Sequence, residues 1–268
     1  MEQMVSVRDG EVWADDAEGA GKREGRETGG LPLVLLHPGV ADSRIWDPVL
    51  PRLVERHRVI RFDVRGYGNS PAPTAKFSVV EDLVAVLDHF GLSRVALAGS
   101  SMGGAAAVNL ALADPARVAA LALLVPGVTG YEGLAVPGFM AEVERLAAAG
   151  DMDGLVALAL RTFGAAGTDG DEEAAAHVRS AIRAWLTNHP HQVQDAPAFD
   201  RLGELDVPCV LALGEQDRPE VIRCNEEMAA RIPGCRLVRL AGSDHLPTLR
   251  EPEAVASLIL EACEGLVN

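Results

Sequence analysis

A chain of 268 residues with 48% hydrophobic content is long enough to bury one substantial core. Its 39 acidic and 24 basic side chains leave a formal charge of −15, which argues against a nucleic-acid or anionic-membrane surface and leaves room only for a local basic pocket. Four scattered cysteines (Cys209, Cys224, Cys235, Cys263) form no Cys-x-x-Cys pair, the first thirty residues hold no signal-like apolar stretch, and no apolar run has membrane-spanning length. Together these predict a reduced, cytoplasmic protein with no metal and no cofactor.

In chain order, the polar, glycine-rich segment Gly19 to Gly30 is expected to join two antiparallel edge strands as a mobile loop. Strands are then predicted at Leu31 to His37, Arg58 to Val64, Arg94 to Gly99, Val118 to Val125, Val207 to Gly214 and Arg236 to Ala241, most of them separated by room for one crossover helix. That alternation predicts an α/β fold with a mostly parallel central sheet flanked by helices. Between Val125 and Val207 there is no strand signal, but helical patterns run over Phe139 to Ala149, Gly154 to Phe163 and Glu172 to Leu186. A structureless connection of that size is uncommon. Residues 127–202 are therefore expected to form a helical cap inserted into a core of residues 1–126 and 203–268.

Gly99-Ser100-Ser101-Met102-Gly103 lies between the strand-like run Arg94-Val95-Ala96-Leu97-Ala98 and an alanine-rich helical run from Gly104 to Ala113. A Gly-x-Ser-x-Gly at a sharp strand-to-helix turn makes Ser101 a candidate nucleophile, because the glycines let strand and helix close up and the strained turn presents Oγ. Partners belong at the carboxyl ends of other strands. Two such ends carry Gly214-Glu215-Gln216-Asp217 and Gly242-Ser243-Asp244-His245-Leu246-Pro247. His245 would take the serine proton and Asp217 would hold the imidazole, with Asp206, Asp244 and Glu215 as nearby alternatives for the acid. A tetrahedral intermediate also needs amide donors. Met102 supplies one just after the serine. In the His37-Pro38-Gly39-Val40 loop Pro38 has no N–H, which leaves Gly39 first and Val40 second.

The chain order Ser101, Asp217, His245, the His37-Pro38-Gly39 loop and the stretch Phe62-Asp63-Val64-Arg65-Gly66-Tyr67-Gly68-Asn69-Ser70 together resemble the α/β-hydrolase superfamily over about Leu31 to Pro126 and Leu205 to Ala262. The resemblance also puts the second oxyanion donor at Gly39, although relatives carry glycine where this chain has Pro38. Ser101-Met102-Gly103-Gly104 with His245-Leu246-Pro247 is most similar to small carboxylic-ester and enol-lactone hydrolases. Meta-cleavage C–C hydrolases usually have asparagine where Ser100 stands, and the dehalogenases and epoxide hydrolases of this fold use an aspartate nucleophile.

The expected activity is hydrolysis of a small, mostly apolar ester or lactone through an acyl-serine. A thioesterase or C–C hydrolase with the same triad, or a non-hydrolytic receptor or biosynthetic protein on this fold, is the alternative. Val40, Trp46, Phe139, Met140, Phe163 and Trp185 are candidate pocket residues, the competing reading being core and cap packing. Arg65, Arg161 and Arg183 are the cations to watch should the substrate be anionic, and His37 reads as a hydrogen-bonded structural histidine.

Overall fold

The computed structural model describes residues 1–17, 31–164 and 171–264. Within them eight strands form one sheet in the order β1-β2-β4-β3-β5-β6-β7-β8. The strands are β1 (Glu2–Val7), β2 (Gly10–Ala17), β3 (Leu33–Leu36), β4 (Val59–Phe62), β5 (Val95–Ser100), β6 (Val118–Leu124), β7 (Cys209–Gly214) and β8 (Arg236–Leu240). The helices are α1 (Leu50–Leu53), α2 (Val79–His89), α3 (Met102–Ala113), α4 (Phe139–Ala148), α5 (Met152–Phe163), α6 (Glu172–Asn188), α7 (Pro219–Arg231), α8 (Pro247–Arg250) and α9 (Pro252–Ala262). From β4 to β8 all neighbours pair in parallel, while β1 and β2 run antiparallel at one edge.

The six predicted strands are all present; five are shorter than predicted, and β5 has its predicted length shifted by one residue. Buried on both faces, the central β3, β5, β6 and β7 are near-continuous in hydrophobicity, yet side chains still alternate. Val34, Leu36, Leu97, Leu121, Leu123, Leu211 and Leu213 face α2, α3 and α7. The other face carries Leu33, Leu35 and the small side chains Ala96, Ala98, Ala120, Ala122 and Ala212 toward α1 and α9.

The antiparallel edge arises differently from expectation. Gly19 to Gly30 falls outside the described residues, and the strands before and after it, β2 and β3, are not neighbours but lie on either side of β4. The edge hairpin is β1–β2, closed by a tight turn at Arg8 and Asp9. Asp9 sits at φ 55°, a left-handed conformation that aspartate tolerates. β1 escaped the sequence reading because, as an edge strand, it buries only Val5 fully.

The segment between β6 and β7 holds three helices close to their predicted spans. Asp151 and Asp171 cap α5 and α6 by accepting from the Gly154 and Ala174 amides. Val143 and Leu146 of α4, Leu155, Val156, Ala159 and Leu160 of α5 and Val178 and Ile182 of α6 form their shared apolar interior.

Candidate active site

Ser101 sits between β5 and α3 at φ 48°, ψ −110°, a sparsely populated conformation for a residue with a side chain. The surroundings hold it there. Its amide donates to the Leu124 carbonyl and its own carbonyl accepts from the Ala105 and Gly127 amides. A Cβ on Gly103 would collide with the Leu36 carbonyl, and one on Gly99 would lie 2.5 Å from the Gly103 oxygen. Bare backbone therefore lets α3 start against β3 and β5, and this packing raises the serine at the sheet's carboxyl edge.

The turns after β7 and β8 meet in the same way. A Cβ on Gly214 would lie 2.5 Å from both the Ser243 and Asp244 carbonyl oxygens, so glycine alone permits their approach. The Gln216 amide donates to the Ser243 carbonyl and ties the two turns together. Between them His245 Nδ1 lies 2.6 Å from Asp217 Oδ2, and His245 Nε2 lies 2.9 Å from Ser101 Oγ. Asp217 and His245 are both buried. With Nδ1–H donated to the carboxylate, Nε2 is left as the acceptor of the serine proton.

The alternative acids are placed elsewhere. Asp244 is fully buried but turns to Arg250, whose Nε and Nη2 donate to Asp244 Oδ2 at 2.9 and 2.8 Å, and to the Leu246 amide. Arg250 also reaches Asp171, the α6 cap, at 2.7 Å. Glu215 is exposed and pairs with Arg239.

Met102 opens α3, where first-turn amides have no partner within the helix. Gly39 lies beside it, a Cβ there being 3.8 Å from the Met102 Cβ and Sδ, and the peptide before Gly39 is fixed by His37. The Val64 amide donates to His37 Nε2 at 3.0 Å, so the ring proton is on Nδ1, which donates to the Pro38 carbonyl at 2.9 Å. His37 is thus a hydrogen-bonded buried histidine, as the sequence reading had it.

Ser101 and His245 open on a cavity of about 420 Å³. Gly39, Val40, Met102, Phe139, Phe163 and Trp185 also line it, so the aromatic residues of all three inserted helices reach the serine. Phe139 meets Phe163 and Trp185 edge-on at 5.7 and 5.9 Å, and Phe163 lies 5.2 Å from the His245 ring. Two expected pocket residues are elsewhere. Met140 is 38% exposed, because one residue beyond Phe139 is about 100° around the helix. Trp46 is fully buried in the α1 and α9 side of the core, placed there by its one-turn helix Ser43–Trp46. The sequence reading missed the wall contributed by Val128, Thr129, Tyr131, Leu134 and Gln194. Most of it follows the carboxyl end of β6, where the rule that found Asp217 and His245 would have found it too.

Among the described residues no Lys, Arg, Asp or Glu lines this cavity. Arg65 pairs with buried Asp82, whose carboxyl is pushed up by burial against the opposing pull of the Arg65 guanidinium. Arg183 of α6 donates to the Gly66, Gly68 and Ser70 carbonyls, and Arg161 is exposed. Among the described residues no cluster of side chains suits a metal, and no helix is long and apolar enough to cross a membrane.

With this geometry in view, the relatives are informative. The chain is 40% identical over 89 residues to pimeloyl-[acyl-carrier protein] methyl ester esterase of Legionella pneumophila (strain Corby), covering 33% of this chain and 35% of that protein. It is 37% identical over 115 residues to 2-hydroxymuconate semialdehyde hydrolase of Pseudomonas sp. (strain CF600), covering 40% and 39%. The chain spans between a third and a half of the length of the curated relatives it matches first. Among solved structures, the enol-lactonase from Burkholderia xenovorans LB400 has a TM-score of 0.80 at 22% identity, over 97% of this chain and 98% of that one, a likeness of fold. The alpha/beta hydrolase family model matches residues 33–258, most of the chain, and the chain belongs to that family.

Proposed function

We propose that this protein is a serine hydrolase that cleaves a small, uncharged carboxylic ester or lactone through an acyl-serine intermediate. The observation that carries the reading is the continuous hydrogen-bond path from Asp217 through His245 to a strained Ser101 at the floor of an apolar, uncharged cavity. Ser101 Oγ attacks the ester carbonyl while His245 Nε2 takes its proton, and Asp217 stabilises the imidazolium. The carbonyl oxygen becomes an oxyanion held by the Met102 and Gly39 amides. Collapse expels the alkoxide, which takes the proton from His245. Water, deprotonated by His245, then attacks the acyl-serine, and collapse of the second intermediate returns the proton to Ser101. Residues 127–202 act as the cap over this site and set which acyl and alcohol groups fit.

The uncharged lining favours esters over the C–C cleavage of a dienoate, whose carboxylate would be desolvated with no cationic partner among the described lining residues. A cavity of about 420 Å³ suits short acyl chains or a single ring rather than a long lipid or a peptide. The test is intact mass after a fluorophosphonate. A single adduct on Ser101 is expected, with Ser101→Ala unlabelled, still folded, and slower on short nitrophenyl esters by a factor on the order of 10⁴ to 10⁶. Labelling that persists in the alanine variant, or cleavage of a vinylogous diketone with no esterase activity, would overturn the reading.

A further inference from the structure

Gly39 has a peptide plane on each side, and each plane is held by a different part of the molecule. The Pro38 carbonyl accepts from His37 Nδ1 at 2.9 Å and from the Ala41 amide at 3.3 Å. The Gly39 carbonyl accepts from Trp185 Nε1 at 2.6 Å and from the Tyr67 hydroxyl at 3.2 Å. The described residues contain no cis peptide, so in each plane the N–H points opposite to the held carbonyl. His37 thereby aims the Gly39 amide, while Trp185 and Tyr67 aim the Val40 amide and fix the torsion at Gly39 between the two planes.

That second clamp matters because glycine resists rotation least of all residues. Without it the Gly39–Val40 plane can turn about the Gly39 torsions, carrying the Val40 amide off its bearing and leaving the Gly39 donor held from the His37 side alone. Tyr67 is buried, which pushes its phenol up and keeps it a donor. Trp185 comes from the other side of the cavity. It lies on α6 of the insertion, 146 residues from Gly39 in sequence, and its ring also faces the substrate space. α6 in turn is fastened to the turn after β4, through Arg183 on the Gly66, Gly68 and Ser70 carbonyls and Asn188 on the Arg65 carbonyl.

We infer that Trp185 is a positioning residue for the oxyanion site: its indole N–H, delivered by the inserted α6, holds the Gly39 peptide so that the amides of this loop meet the developing oxyanion. The inference rests on the serine-hydrolase reading above. It makes the insertion part of the machinery for stabilising the intermediate, in addition to roofing the substrate.

Trp185→Phe removes the N–H and keeps a ring against Phe139. On a short nitrophenyl ester its kcat should fall about tenfold to a hundredfold, short of the 10²- to 10³-fold cost of deleting an oxyanion donor outright. KM should stay within about twofold, and affinity for an alkylboronic acid, which forms a tetrahedral adduct on Ser101, should fall by the same factor as kcat. Tyr67→Phe, which removes the longer bond, should cost less, and the double variant more than the product of the two, since both donors hold one carbonyl. Thermal unfolding of each variant checks that the fold is kept. A raised KM with unchanged kcat and boronate affinity would reduce Trp185 to a pocket wall and overturn the inference while the serine mechanism stands. A wild-type protein that neither takes a fluorophosphonate at Ser101 nor turns over esters would overturn both.

Discussion

The two walls of the cavity are built by different means. On the sheet side backbone touches backbone: Gly103 starts α3 against the Leu36 carbonyl, and Gly214 brings the Asp217 turn against the His245 turn. On the side of the insertion, side chains do the work. Phe139, Phe163 and Trp185 project into the space, while Arg183, Asn188 and Trp185 reach across to main-chain carbonyls. Backbone contacts fix positions within tenths of an ångström but accept no added atom, whereas side-chain contacts can be exchanged for others of similar volume. On the proposed reading Ser101, His245 and Asp217 stand on the rigid wall, while the adaptable one selects the substrate and lends Trp185 to the Gly39 loop.

The sharpest way to break the comparison uses two buried carboxylates on the rigid wall. Asp217→Asn should lower kcat on a short nitrophenyl ester by about 10⁴-fold with little change in melting temperature, because it disturbs the His245 tautomer. Asp244→Asn should reverse the pattern, lowering the melting temperature through its broken pairing with Arg250 while kcat changes far less. If Asp244→Asn proves the worse for turnover, the acid has been misassigned.

Next in size is the glycine contact. Gly103→Ala places a methyl group against main chain that cannot swing aside, so denaturant unfolding should show a loss of about 1–3 kcal/mol. A neutral result would mean that α3 can shift, and the rigid wall is not rigid. Phe139→Ala is the matching change opposite. Enlarging the cavity there should raise kcat/KM for esters a few carbons longer by about tenfold relative to acetate, with the Ser101 chemistry intact.

The smallest expected effect is on pH dependence. Burial lowers the pKa of His177 on α6 from its ordinary 6.5, against the opposing pull of Asp42. The folded pKa lies below the unfolded one, so unfolding takes up a proton and stability is lost as pH falls through about 6.5. His177→Gln should flatten the melting-temperature profile between about pH 7 and 5 by removing this titration. An unchanged slope would place the acid sensitivity elsewhere.

Much of the rigid wall was legible in the sequence. Gly-x-Ser-x-Gly between an apolar run and an alanine-rich run forces one local geometry, and carboxylate and histidine at strand ends follow from how parallel sheets expose their carboxyl edge. The adaptable wall was legible only in part. Helical periodicity predicted α4, α5 and α6 to within a few residues, but it could not separate Phe139 from Met140, because facing depends on how helices pack. Trp46 shows the same limit, an aromatic residue near the oxyanion loop that tertiary packing sends into the core. The bond from Trp185 to Gly39 joins residues with no local relation at all, and no pattern of residue types announces it.

The unequal fastening of the insertion has a kinetic consequence. α6 is held by Arg183, Asn188, Trp185 and the Asp171–Arg250–Asp244 bridge, and the end of α5 by the His245 amide on the Phe163 carbonyl. Among the described residues no hydrogen bond or ion pair runs from α4 to the sheet domain, and its Phe139 rests on Phe163 and Trp185 of the insertion itself. A roof tied along one side and merely leaning on the other opens at the untied edge. Traffic of substrate and product is therefore expected past Phe139 rather than past Leu134, whose carbonyl Arg218 holds, leaving the Gly39 loop undisturbed each time the molecule breathes.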